Sequence, residues 1–225
     1  MGRAPLVPLT DLDNRDERLA CHSLLMEREL GSVEAIPLPA GYRYVTYRLG
    51  EGPDWVAIER SAGELADERQ GRLAWSAHFA GRERELEGRM TFLETDAGEK
   101  VGTANAWHDA SPGRHPGLDP DAAWLHWVAI RREHQGRGLA KPLVAHVLRL
   151  MEDYGYRHAY VPTQTTTWLA ARLYLDLGFR PTAFSLERSP VGWSIMRRLT
   201  DHPALADVRP ATDAELWQAS RSERG

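Results

Sequence analysis

Leu125-His126-Trp127-Val128-Ala129-Ile130, followed five residues on by Gln135-Gly136-Arg137-Gly138-Leu139-Ala140, is the stretch that decides the fold. The first run is apolar and rich in strand formers. The second carries two glycines and opens a long amphipathic helical pattern. A strand, a glycine-bearing loop and a helix start make an anion cradle. The first N–H groups of a helix lack intrahelical partners and carry the positive end of its dipole. Glycine lets a bulky phosphate approach the main chain. A bare Gly-x-Gly also marks an ordinary strand-to-helix turn, and does so more often. A dinucleotide fingerprint would need a third glycine where Lys141 stands, and a P-loop would need Gly-Lys-Ser/Thr after its spacers.

Outward from this stretch, the pattern gives an element order. Residues 138–154 form the long helix, with Leu139, Leu143, Val144, Val147, Leu148 and Met151 as its apolar stripe and Gly155 as its stop. Upstream, 42–48 reads as a strand, and a helical pattern opens at Pro53. A second helical stretch covers 72–79, and strands follow over 90–94 and 100–107. Asp96-Ala97-Gly98 suits a hairpin turn. Residues 109–120, with several prolines and glycines, form a loop. Downstream, 158–161 is a short strand. Thr166 or Thr167 caps a helix that Gly178 closes, and two strands are expected near 182–186 and 194–199. Within 19–30 the pattern fits a short helix or strand. Mixing helices and strands in this way gives an α/β (α+β) class with a mixed sheet. The divisions expected are an N-terminal extension over 1–40, a domain over 41–200 and a loose C-terminal tail over 201–225.

Composition narrows the function. The 225 residues are 42% hydrophobic and carry a net charge of −4. That suits a globular chain and argues against a general nucleic-acid or membrane-surface binder. Cys21 is the one cysteine, so an internal disulfide and a cysteine-based zinc cage are both excluded. The histidines lack the His-x-x-x-His spacing of a helical metal site, and no metal is expected. The first residues lack a signal-peptide core, and no run reaches a membrane span of about 20 apolar residues. A cytoplasmic location is expected.

Two motifs together resemble the GNAT superfamily of acyl-CoA-dependent N-acyltransferases. Its pyrophosphate loop is Arg/Gln-x-x-Gly-x-Gly/Ala, and Gln135, Gly138 and Ala140 fill those places. A second signature follows as Ala170-Ala171-Arg172-Leu173-Tyr174-Leu175-Asp176-Leu177-Gly178-Phe179. The likeness covers about 42–200. It implies a GNAT-type, mostly antiparallel central sheet flanked by helices. Acetyl-CoA or a related acyl-CoA would be the co-substrate. Its pyrophosphate would lie on Gln135, Gly136, Arg137, Gly138, Leu139 and Ala140, and its pantetheine arm along Val128, Ala129 and Ile130. In the family that strand splays from its neighbour to receive the arm.

Acyl transfer to an amine needs a base, an acid for the leaving thiolate and a donor at the developing oxyanion. Attack is direct in the family, so Cys21 is not required as a nucleophile. Tyr174 matches the family tyrosine that donates to the coenzyme sulfur. A phenol, with an ordinary pKa of about 10, can do so at neutral pH. His126 corresponds to a histidine of the proton path in the arylalkylamine branch. Simple alternation would put it on one side of the strand with Val128 and Ile130. Glu94 is the second base candidate. For each there is a plain alternative: a core tyrosine, a half-buried histidine, a solvated surface glutamate. Thr167 stands where the family often has asparagine, touching the pantetheine or capping the helix. Pro142 falls early in the long helix, where it would forfeit one backbone bond. His134, beside Gln135, is expected to be exposed.

Trp55, Trp75, Trp107, Trp127 and Trp193 are candidate acceptor walls, although most tryptophans belong to cores. Arg114 and His115 could gate that side. The acceptor would be a small-molecule or peptide amine. A homodimer through the last strands, using Ile195 and Met196, is open. So is a second function: a GNAT-like module that binds acyl-CoA as a sensor without turning it over.

Overall fold

The computed structural model describes residues 11–108 and 117–218. Arg114 and His115 lie outside the described residues. The protein is a mixed α/β fold whose seven strands are mostly antiparallel. The chain forms two compact units, Glu29–Tyr160 and Met1–Arg28 with Val161–Gly225. Among the described residues, no helix is long and apolar enough to cross a membrane.

In the larger unit, β2 (Tyr42–Thr46), β3 (Met90–Thr95), β4 (Lys100–His108) and β5 (Ala123–Ile130) pair antiparallel in that order. β6 (His158–Gln164) begins in this unit and pairs parallel with β5 at Ala123↔Ala159 and Trp124↔Tyr160. The hairpin between β3 and β4 turns at Asp96-Ala97-Gly98 as the sequence indicates. Gly98 takes φ 84°, and Thr95 N–H donates to the Glu99 carbonyl at 2.9 Å.

Two layers of helix cover this sheet. One face meets α1 (Gly52–Ala62), α2 (Glu68–Phe79) and α3 (Glu83–Arg89). Tyr47, Trp55, Ile58, Phe79, Leu86, Met90, Phe92 and Trp107 are buried together there. The other face meets α4 (Ala140–Asp153), whose Leu143, Val144, Val147, Leu148 and Met151 are buried. His146 of α4 stacks on Tyr44 of β2 at 4.0 Å between ring centroids. Pro142 occupies the third position of α4, where the N–H would have no intrahelical partner in any case. The backbone bond expected to be lost there was never available.

In the smaller unit, β1 (Ser23–Glu29) pairs antiparallel with β7 (Arg180–Pro181). The 19–30 segment is therefore strand. α5 (Trp168–Asp176), α6 (Ala183–Arg188), α7 (Pro190–Thr200) and α8 (Asp213–Leu216) complete the unit. The two strands expected near 182–186 and 194–199 are helices α6 and α7, and local chemistry explains both. The Thr182 side chain caps α6 by accepting from Ser185 N–H at 3.0 Å. Pro190 opens α7 with its φ already set for a helix. Gly192, Ile195, Met196 and Leu199 recur at helical spacing, and the first three are buried. Ile195 and Met196 are fully buried, so they are not the surface on which a dimer through the last strands was expected. The expected loose tail is folded through Trp217. Leu205 and Leu216 are fully buried, a capping box at Thr212 and Glu215 starts α8, and Trp217 bridges to Leu19.

Candidate active site

β5 carries the decisive irregularity. Its register with β4 passes from Thr103↔Ala129 to Asn105↔His126, so Ala104 alone stands opposite Trp127 and Val128. This is a β-bulge, and it bends the strand and leaves backbone groups out of the ladder. Trp127 takes φ 50°, a left-handed conformation that bulky L-residues seldom adopt.

The extra residue reverses the alternation expected from sequence. Cross-strand partners share a face. His126 shares its face with Asn105 and Trp107, toward α1 and α2, and Ala129 joins it there through Thr103. Ile130, partnered with Gly102, lies on the opposite face, toward α4. His126 and Ile130 are therefore not on one side of the strand.

Around His126 the helices bring a residue that sequence reasoning left among the scattered histidines. The His78 ring of α2 meets the His126 ring edge-on at 5.1 Å and the Trp127 ring at 5.2 Å. Both imidazoles are half-buried. The backbone carbonyl of His126 accepts from Asn105 Nδ2 at 3.0 Å. Asn105, His126, Trp127 and His78 therefore come together at the bulge.

Glu94 is not part of this group. The row through Asn105 and His126 meets β3 at Met90. Glu94 lies four residues further along, about 13 Å at strand rise. Its carboxylate is ion-paired with Arg43, its cross-strand partner on β2.

The loop after β5 has the geometry of an anion cradle. Gly136 and Gly138 take φ 73° and 76°. Among the described residues, an added Cβ at either would meet nothing within 4 Å, so the cradle is open. The first N–H groups of α4 follow at Ala140 and Lys141. Arg131, Arg132, Arg137 and Lys141 oppose one acid, Glu133, in this segment. Such a segment can hold a doubly charged pyrophosphate through backbone donors and helix dipole. The side chains of two of the expected contacts are hydrogen-bonded within the loop. The Gln135 side chain donates to the Ile130 carbonyl at 2.9 Å, and the Arg137 guanidinium donates to the Glu133 carbonyl at 2.9 Å. Both hold the loop in shape. His134 is half-buried, not exposed. It is hydrogen-bonded through Nδ1 to the Tyr42 hydroxyl at 3.0 Å.

Tyr174 and Thr167 belong to the smaller unit. Tyr174 is buried on α5, with its ring edge-on to Phe179 at 5.9 Å. Thr167 precedes α5 but makes no capping bond. Its hydroxyl donates to the Gln164 carbonyl at 3.1 Å. Of the candidate acceptor walls, Trp193 is core in the smaller unit, with its indole N–H donating to Ser185 Oγ at 2.9 Å. Trp55 is core in the larger unit, where Trp127 meets its ring at 5.0 Å. Trp75 and Trp127 are only partly buried.

Comparison with known proteins agrees with this architecture. Residues 54–179 match the model of the Acetyltransferase (GNAT) family. N-acetyltransferase 8B of Rattus norvegicus is 35% identical over 92 residues, 40% of this chain and 40% of that protein. N-acetyltransferase 8 of Mus musculus is 29% identical over 133 residues, 59% of this chain and 54% of that protein. The chain thus spans about half or less of these curated relatives. A crystal structure of a GCN5-related N-acetyltransferase from Sphaerobacter thermophilus shares the fold. Its TM-score is 0.57 at 22% identity, over 71% of this chain and 48% of that one. The family match extends from α1 through the glycine loop to the Leu-Gly-Phe that ends the second motif, over more than half of the chain. The chain belongs to the acetyltransferase (GNAT) family.

Proposed function

We propose that this chain transfers an acetyl group from acetyl-CoA to a primary amine of a small molecule or peptide, by direct attack of the amine. The observation that carries the reading is the open double-glycine cradle at the start of α4, directly after a bulged strand. Acetyl-CoA supplies an activated thioester. The residues of this chain would do the rest. The main chain of 136–140 would hold the pyrophosphate. Backbone groups at Val128, Ala129 and Ile130, beside the bulge, would receive the pantetheine arm and a developing oxyanion.

An alkylammonium must lose a proton before it attacks. His126 would accept it, since imidazole titrates near neutrality. The edge of the His78 ring beside it restricts the orientation of the His126 ring. Tyr174 would return a proton to the thiolate, and Thr167 would adjoin the pantetheine. Glu94, paired with Arg43, is a weaker base candidate than His126.

The test is thiol release from acetyl-CoA across a panel of amines, with acetylated product identified by mass spectrometry. Tyr174→Phe should lower kcat with little change in KM for acetyl-CoA. Coenzyme A binding by wild type without amine-dependent thiol release would reduce the reading to acyl-CoA binding alone.

A further inference from the structure

Glu59 is an acid in the wrong place for a helix that merely packs. Trp55, Ile58, Glu59 and Ala62 lie at helical spacing on α1, and Glu59 is in the middle of that stripe. It is fully buried. Neither carboxyl oxygen has a hydrogen-bond partner among the described residues. Buried carboxyl groups without partners are costly and rare.

Glu59 is not isolated in this respect. Thr103 Oγ1 and Asn105 Oδ1 are also buried and unpartnered, as are the indole N–H groups of Trp55 and Trp127. Thr103 and Asn105 project from β4 on the face that α1 covers, opposite Ala129 and His126. Trp55 and Trp127 meet across the same layer at 5.0 Å. Acceptors and donors are both present, as internal water requires, and each buried water takes about three such partners.

We propose that Glu59, Thr103 and Asn105 bind internal water between α1 and the sheet, and that Glu59 is a positioning residue that fixes the bulge of β5 through Asn105. Asn105 is the link, because its Nδ2 already clamps the His126 carbonyl. Water bound to its Oδ1 would fix the amide plane and so aim that clamp. Burial, with the charge of Glu64 adding to it, pushes the Glu59 carboxyl well above the ordinary carboxylate range. Burial thus favours the neutral acid, a form that donates one hydrogen bond and accepts others. Several charged groups on the elements around α1 have partners of their own. Lys100 of β4 pairs with Glu51 and Asp54 at 2.7 Å each, and Glu68 and Arg72 of α2 pair with one another at the surface. His78 and His126 face each other at the bulge.

The catalytic part of this inference rests on the proposed acetyl transfer. The experiment compares Glu59→Gln and Glu59→Leu in the full chain. Glutamine keeps the shape and both hydrogen-bonding senses of a neutral carboxylic acid, so kcat should stay within about twofold of wild type. Leucine cannot hold the water, and kcat should fall between about tenfold and a hundredfold, with KM for acetyl-CoA little moved. Wild-type kcat should decline on the alkaline side as Glu59 ionises, and Glu59→Gln should lack that decline. An infrared difference spectrum of wild type minus Glu59→Gln should show the carbonyl stretch of a protonated carboxylic acid at neutral pH. That readout needs no turnover, so it stands even if acetyl transfer is not found, and it decides with Glu59→Gln if the leucine variant does not fold. Absence of the band, or equal loss of kcat in both variants, overturns the proposal.

Discussion

The Asn105 side-chain amide donates to the backbone carbonyl of His126 at 3.0 Å, in the row next to the bulge where β4 and β5 change register. A side chain of one strand thus holds the main chain of the other where the ladder is interrupted. Removing it should loosen the bulge without emptying a large volume. Asn105→Ala is expected to lower stability by about 1–3 kcal/mol, the cost of leaving a buried acceptor unpaired. Its kcat should fall more than KM for acetyl-CoA rises. Urea denaturation and steady-state kinetics check the two effects.

Gly138 should tolerate a side chain sterically but not conformationally. Space is open around it, yet φ is 76°. Gly138→Val should fold, because the loop is exposed. It should bind coenzyme A at least about tenfold more weakly, because a β-branched residue resists the left-handed conformation. Titration calorimetry with coenzyme A reads this directly. Unchanged affinity would mean that the cradle does not hold the pyrophosphate.

Gly192 is the reverse case. A Cβ there would meet Ser189 Oγ at 2.5 Å, His22 Cβ at 2.8 Å and Leu24 Cδ2 at 3.0 Å. Gly192→Ala should therefore push α7 away from β1 and cost about 1–3 kcal/mol, as overpacking does. For a chain of this size each kcal/mol moves Tm by roughly 2–4 °C. Thermal unfolding followed by circular dichroism is the check.

Glu59 makes stability depend on pH with a definite sign. Its ordinary carboxyl value is 4.5, and burial raises it well above that in the fold. Between these two values the folded chain holds a proton that the unfolded chain has released. Stability therefore falls as pH rises through this window, and is unaffected by the shift below it. Glu59→Gln should match wild type near pH 4 and become relatively more stable as pH rises. Denaturant midpoints at several pH values test this, and a constant difference would contradict it.

What the sequence made legible was local. Gly136 and Gly138 signal a loop because their backbone requirement is their own, and Asp96-Ala97-Gly98 signals a hairpin for the same reason. The α4 stripe repeats long enough to be read. Residues 182–186 and 194–199 read as strands because Phe184 and Ile195 favour strands individually, while the deciding signals were a cap at Thr182 and Pro190 at a helix start. The bulge has no such local mark. It exists only in the count of β4 residues against β5 residues, which a single strand does not contain. Glu59 could have been found, since a glutamate amid Trp55, Ile58 and Ala62 breaks an apolar stripe.

The bulge also gives β5 two phases. Residues before Trp127 follow one alternation, and those after Val128 follow the other. Deleting Trp127 would merge them and carry Ala123 through His126 to the opposite face, away from His78 and toward α4. One surplus residue thus acts as a frameshift in space, and the strand can serve two faces without any change in the composition of either half.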